Sequence, residues 1–186
     1  MPLGGLAPDT RVATRLGPLP AARLLPGAEI LTRDRGYCPL LWAGHGRGPN
    51  TGEAVMIPQG ALGAGRPGRA LWLAPLQGVL LNVPAFAPAL GTAEALAPAS
   101  ALMSGRSVKL RGGFMQVVLP THELILAEGA WIESLAPTQA STVIPGYGQG
   151  WAEQLDETAQ TPIRPQIDRS DLALLVPGFG SAGAAA

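Results

Sequence analysis

Nine short apolar runs, each about the length of a β-strand, follow one another along this chain, and that succession limits its fold more than any other feature. They are "TRVAT" (10–14), "AEILTR" (28–33), "LLWAG" (40–44), "EAVMIP" (53–58), "LWLAP" (71–75), "GVLLNV" (78–83), "SVKLRGG" (107–113), "FMQVVLP" (114–120) and "HELILAEG" (122–129). The 25 glycines and 19 prolines fall between these runs, not in a periodic repeat. Strand signals spaced by roughly 8–12 residues and separated by turn formers predict an all-β domain built from hairpins.

Two stretches interrupt the pattern. "AARLLPG" (21–27) reads as one helical turn stopped by Pro26-Gly27. "TAEALAPASALM" (92–103) has Thr92 placed as a cap before Glu94 and predicts a short helix, or two turns broken at Pro98. After Pro137 the chain turns polar and irregular. Residues 1–137 therefore read as the β domain and 138–186 as an extension, with at most one short helix near 170–176 capped by Ser170 or Asp171. The last residues, "GSAGAAA", read as a frayed end.

At 186 residues, 47% of them hydrophobic and 14% charged, the chain can bury a core and lies far from the composition of disordered proteins. Thirteen basic residues balance thirteen acidic ones without clustering, so neither nucleic acid nor an anionic membrane surface is an expected partner. The uncharged stretch 70–93 contains Pro75, Pro84 and Pro88, which would break the hydrogen bonding a membrane helix needs. With no secretory signal in "MPLGGLAPDT", a cytoplasmic location and a monomer are the default expectations. Cys38, His45 and His122 show no metal-ligand spacing, so neither metal nor cofactor is expected. Cys38 reads as a small buried filler, His45 as part of a glycine-rich loop tip, and Trp42, Trp72 and Trp131 as core residues.

Three blocks resemble one family. "DTRVATRLGPLPAARLLPGAEILTRD" (9–34) with "LLWAG" (40–44), "GALGAGRPGRALWLAPLQGVLL" (60–81) and "FMQVVLPTHELILAEGAWIESL" (114–135) are similar, in order, to the Hint (hedgehog/intein) domain in its bacterial branch. The resemblance implies a flat, pseudo-twofold β horseshoe with one or two short helices. It also implies a chemistry, in which a side-chain nucleophile attacks the peptide bond just before it and converts an amide to a thioester or ester. A cysteine thiolate supplies the nucleophile; a histidine with a Thr or Ser hydroxyl polarises the amide and protonates the leaving nitrogen.

Carried onto this chain, those roles fall on residues that cannot perform them. The nucleophile position, five residues before Thr10, is Gly5; the hydroxyl position is Ala74; the histidine position is Gln77; and where splicing members end in His-Asn stands Glu133-Ser134. Gln77 can hydrogen-bond but does not titrate near pH 7. Cleavage before position 5 would moreover release only residues 1–4.

The leading expectation is thus a degenerate Hint domain, a non-catalytic scaffold or interaction module. The alternative is self-processing by a hydroxyl route, with Thr10 or Ser134 as nucleophile and His122 as base. Each of these residues also has a plain structural reading. Thr10 packs or caps at the head of a strand, and His122 is held at a turn after Pro120. Gln77 bonds either to local carbonyls or across to the backbone of residues 4–6. Glu123, Glu128 and Glu133, five apart, do not share one strand face and read as solvated or paired with arginine. A protein partner could dock on an exposed strand edge or on the apolar tail "LALLVPGF" (172–179).

Overall fold

A computed structural model describes residues 4–46, 52–102, 107–110, 113–145, 150, 152–156 and 163–177. Its strands are β1 (Arg11–Thr14), β2 (Gly17–Pro20), β3 (Glu29–Thr32), β4 (Gly36–Pro39), β5 (Trp42–His45), β6 (Glu53–Ile57), β7 (Leu71–Leu73), β8 (Gly78–Asn82), β9 (Glu94–Pro98), β10 (Ser107–Lys109), β11 (Met115–Val118), β12 (Leu124–Ala127) and β13 (Ala130–Glu133). Helices α1 (Ala87–Leu90), α2 (Ala99–Leu102), α3 (Pro137–Val143) and α4 (Arg169–Leu175) are all short, so the protein is mainly β as the run spacing predicts.

Eight strands form one sheet in the order β2-β1-β3-β12-β13-β8-β9, with β4 paired to β3. Two small sheets, β10-β6-β7 and β11-β5, complete the fold. Alternation explains the half-buried strands: Val12 and Thr14 of β1 and Ile30 and Thr32 of β3 point inward between exposed or half-buried neighbours. β8 is buried from Gly78 to Leu81, as a strand covered on both faces must be. The main core joins Leu6, Ile30, Ile57, Leu71, Phe86 and Ile132. Trp42, Trp72 and Trp131 are partly buried and pack against three smaller clusters, and Cys38 packs against the main one.

The structure corrects several expectations. Residues 94–98 form a strand, paired with β8 from Gly78↔Pro98 to Asn82↔Glu94, and only 99–102 is helical. Thr92 does bond to Glu94 N, at 3.2 Å, but this closes a turn that leads into the strand. The open backbone edge of β8 outweighs a weak local helix signal. His45 belongs to β5, not to a loop tip; it lies opposite Met115, with its Nδ1 3.2 Å from the Phe114 carbonyl oxygen. The 21–27 helical turn is present as a single 3-10 turn, Ala21–Arg23.

Among the described residues, the segment from Pro137 onward carries two short α-helices and a 3-10 turn at Ala152–Gln154, where at most one short helix was expected. Ala140 and Val143 of α3 pack with Leu41, Val118 and Leu135. The cap of α4 is Asp168, which precedes both Ser170 and Asp171. Its carboxylate accepts from Ser170 N at 2.7 Å and Asp171 N at 2.8 Å, while Asp171 closes the capping box. The terminal "GSAGAAA" lies outside the described residues. The segment before α4 runs along the outer edge of β9: Leu96 N donates to Pro165 O and Ile167 N donates to Leu96 O, both at 2.8 Å. Ile167 and Leu172 enter the main core.

Candidate functional site

The chain from Gly4 to Ala7 is threaded between β7 and β11, hydrogen-bonded to both. Leu6 exchanges backbone bonds with Met115, at 3.0 and 2.8 Å, while Ala7 N donates to Trp72 O and Ala74 N donates to Gly5 O. This stitching holds the Gly4–Gly5 peptide bond in place inside the protein.

Two glutamines then grip that bond from opposite sides. Gln77 Oε1 accepts from Gly5 N at 2.6 Å, and Gln116 Nε2 donates to Gly4 O at 2.5 Å. Gln77 is 4% exposed and its Nε2 donates to the carbonyls of Glu133, at 2.9 Å, and Gly78, at 3.2 Å. Rotating its amide by half a turn would set NH2 against an N–H and the oxygen against two carbonyls, so the network fixes the orientation. Both readings of Gln77 are therefore realised: it bonds to local carbonyls and across to residue 5.

The loop that carries Gln77 is itself locked. Gln77 N donates to Ala74 O, closing a turn, and Ala99 N donates to Gln77 O. Ala74 is buried against Ala54 and Phe114, a position filled by a methyl group with no hydrogen bond to offer.

Gly5 has φ +140°, a conformation side chains disfavour. A Cβ there would stand 2.7 Å from Phe114 Cβ, 2.9 Å from Gln116 Nε2 and 3.1 Å from Met115 O. Two of these obstacles belong to the β11 region at or next to the backbone, so they cannot swing away.

His122, Glu133 and Ser134 lie beside this grip. Glu133 meets it through its carbonyl, bonded to Gln77, and its carboxyl lies directly over Gly78, where any residue with a Cβ would collide with it. His122 Nε2 is 3.5 Å from Glu133 Oε1. Burial pushes the His122 imidazole below its ordinary value, opposed by a hydrogen bond with the Ser134 backbone. Burial also raises the Glu133 carboxyl to about 7. The contact near neutrality is consequently that of a neutral imidazole with a carboxyl in mid-titration, not a settled ion pair. Glu133 also borders a groove of about 430 Å³ whose far wall includes Gln166 and Asp168.

Both residues that carry the candidate hydroxyls, Ser134 and Thr10, are buried. Ser134 Oγ accepts from Glu123 N at 3.0 Å, and Ser134 N donates to Glu123 O, which binds the start of β12 to the end of β13. Thr10 is 3% exposed and its hydrogen bonds are backbone bonds with Ala7 and Ala21. Among the described residues neither side-chain hydroxyl is hydrogen-bonded to His122, which meets Ser134 through its backbone. Glu123 pairs with Arg35 and Thr121, and Glu128 with Arg69 and the Arg11 amide, as the arginine-paired reading expects.

Gln116 is the site residue that sequence reasoning missed. Its signal was there: a single amide in the otherwise apolar run "FMQVVLP". A buried amide needs partners, but nothing local indicates that its partner is 112 residues away.

Glu133 gives the site a measurable pH dependence. Its folded pKa of about 7 exceeds the ordinary 4.5, so the folded chain holds this proton more tightly than the unfolded one. The stability this confers is fully present below pH 4.5 and is lost as pH rises through about 7, on the order of 3 kcal/mol in all. His122, shifted the other way, contributes stability above its ordinary 6.5 that is lost as pH falls through its depressed value. Urea unfolding of Glu133→Gln at pH 5 and pH 8 should show the alkaline loss largely removed. A parent-like difference between the two pH values would show that Glu133 is not its source.

The fold and the site together define a β domain that grips one of its own peptide bonds. The chain belongs to the Hint domain family, whose sequence model, described as "Hint domain", matches residues 5–139. Among solved structures it is similar to the crystal structure of gp41-1 intein, at 14% identity and a TM-score of 0.48, over 70% of this chain and 98% of that one. It is also similar to the crystal structure of MchDnaB-1 intein (N145AA), at 14% identity and a TM-score of 0.38, with the same two coverages. No curated protein matches the chain.

Proposed function

We propose that this Hint domain is catalytically degenerate and serves as a non-catalytic scaffold or interaction module. The observation that carries this reading is the closed space at Gly5. An acyl shift needs a nucleophile on residue 5 aimed at the Gly4 carbonyl, and the backbone conformation and the walls around Gly5 leave no place for one.

The polarity of the grip supports the same reading. Gln116 donates to the carbonyl oxygen, as a group that stabilises a developing oxyanion would. Gln77, however, presents an acceptor to the nitrogen, where a departing amine needs a proton donor. One half of the machinery is in place and the other half has the opposite sense. The ends of the peptide are held by hydrogen bonds that stabilise the intact amide, so the catalytic pocket has become part of the fold's own packing.

The test is intact-mass spectrometry of the full-length protein during prolonged incubation with a small thiol or with hydroxylamine at neutral pH. The mass should stay constant. A time-dependent product lacking residues 1–4 would overturn the proposal, and so would one cut just before Thr10 or Ser134, whose loss in His122→Ala would then identify a hydroxyl route.

A further inference from the structure

Glu133 touches the Gly4–Gly5 grip at two points. Its backbone carbonyl accepts from Gln77 Nε2 at 2.9 Å. Its carboxyl rests on Gly78, the residue after Gln77, whose own carbonyl accepts the second Gln77 Nε2 bond at 3.2 Å. The same amide group points its oxygen at Gly5 N, which donates to it at 2.6 Å. The N-terminal segment, the start of β8 and the end of β13 thus meet through one side chain, and the Glu133 carboxyl packs on the loop that carries it.

That carboxyl has little water and few partners. The Glu133 side chain is 16% exposed, and no amide or hydroxyl donates to its carboxyl among the described residues. Three titratable groups face it. His122 Nε2, from the turn before β12, is 3.5 Å away, and Asp168 and Asp171, at the start of α4, line the same groove. Arg169, between those aspartates in sequence, bonds with the Ser100 carbonyl. The residue opposite Glu133 on β12 is Leu124, and the lining from β8 and β9 brings no cation. Ionisation of Glu133 therefore meets no fixed positive charge, while two aspartates oppose it. Burial holds the carboxyl up at about 7 and the His122 imidazole below its ordinary value.

Release of the peptide and release of this carboxyl are linked. For Gln77 to let go of Gly5, its loop must leave the Glu133 carbonyl and carry Gly78 away from the carboxyl. The opening returns the carboxyl to water and to its ordinary 4.5. A folded value above the open one stabilises the closed grip fully below pH 4.5, and that stabilisation is lost as pH rises through about 7. His122, shifted downward, works in the opposite sense as pH falls below its ordinary 6.5.

We propose that Glu133 is a pH-sensitive latch on the domain's hold of its own N-terminal segment. Protonated, it packs on Gly78 and keeps Gln77 closed on Gly5; ionised, it favours the state in which Gln77 lets go. The latch sets how firmly the peptide is held and does not rest on the inertness of the site, so it and the proposed loss of catalysis stand or fall separately.

Native-state hydrogen exchange of the full-length protein, followed residue by residue by NMR at several low urea concentrations, tests it. The Gly5 amide should exchange through a local opening, with less protection and a smaller urea dependence than the most protected core amides. Between pH 6 and pH 8 its protection factor should fall about tenfold relative to the same amide in Glu133→Gln, the factor contributed over that range by a carboxyl that moves from about 7 to 4.5. Should Glu133→Gln fail to fold, His122→Gln decides, since Glu133 is then the one titrating member of the pair and the same tenfold fall is expected. Exchange of Gly5 only by global unfolding, or a pH response at Gly5 unchanged by Glu133→Gln and absent in His122→Gln, would overturn the proposal.

Discussion

Gly5→Cys, which places a thiol where the family resemblance puts the nucleophile, should yield a less stable protein that still does not cleave. The cysteine must adopt φ +140° and place its Cβ 2.7 Å from Phe114 Cβ and 3.1 Å from the Met115 carbonyl. Strained backbone and overpacking each cost about 1–3 kcal/mol, so the combined loss is on the order of 3 kcal/mol. Relief requires moving β11, and with it the Leu6–Met115 bonds that hold the peptide in place. Even a cysteine that finds room faces a Gly5 nitrogen bonded to an acceptor, with no proton donor opposite it. Urea denaturation measures the first effect and intact mass in the presence of thiol measures the second. A variant with parental stability that sheds residues 1–4 would show that the space at position 5 is not closed.

The second large effect is expected at the far end of the chain. Ile167 and Leu172, 4% and 3% exposed, are members of the main core although both lie beyond the family match, which ends at residue 139. Truncating either to alanine costs about 2–5 kcal/mol. The double variant Ile167→Ala/Leu172→Ala should lose roughly 4 kcal/mol or more, a large part of the 5–15 kcal/mol that holds a typical domain together.

Further losses follow if the segment lifts away. Arg164 bonds Glu94 at 2.6 Å and Asp34 at 2.7 Å, and the edge of β9 loses its partners Pro165 and Ile167. Burial works against the Glu94 charge, yet Arg33 and Arg164 together hold its pKa below the ordinary value. Thermal unfolding followed by circular dichroism reads the outcome. A double variant with a parent-like midpoint would mean that the segment is a detachable appendage.

Much of the fold was legible in the chain. β1, β3, β6, β7, β8, β11 and β12 fall on runs whose apolar pattern and flanking turn formers are local properties. The residue types at Gly5, Ala74 and Gln77 were equally plain, since the absence of a thiol, a hydroxyl or an imidazole needs no coordinates. β2 and β4 were less visible because "GPLP" and "GYCP" are rich in glycine and proline; they exist as partners of β1 and β3. The β9 region reads as a short helix or two turns because its alanines, and Thr92 placed as a cap just before it, look helical in isolation.

The amino-acid sequence by itself determined the strand-rich class and the absence of a thiol, hydroxyl or imidazole at Gly5, Ala74 and Gln77, because periodicity and functional groups are carried by each residue alone. Only the tertiary structure decided that Gly5 is walled in by Phe114 and Met115, that Gln77 and Gln116 close on the same peptide bond, that burial lifts Glu133 toward neutrality beside His122, and that the tail belongs to the core. Those facts depend on contacts between residues up to 112 positions apart. The energy of such a contact depends on which surfaces the whole chain brings together and shields from water.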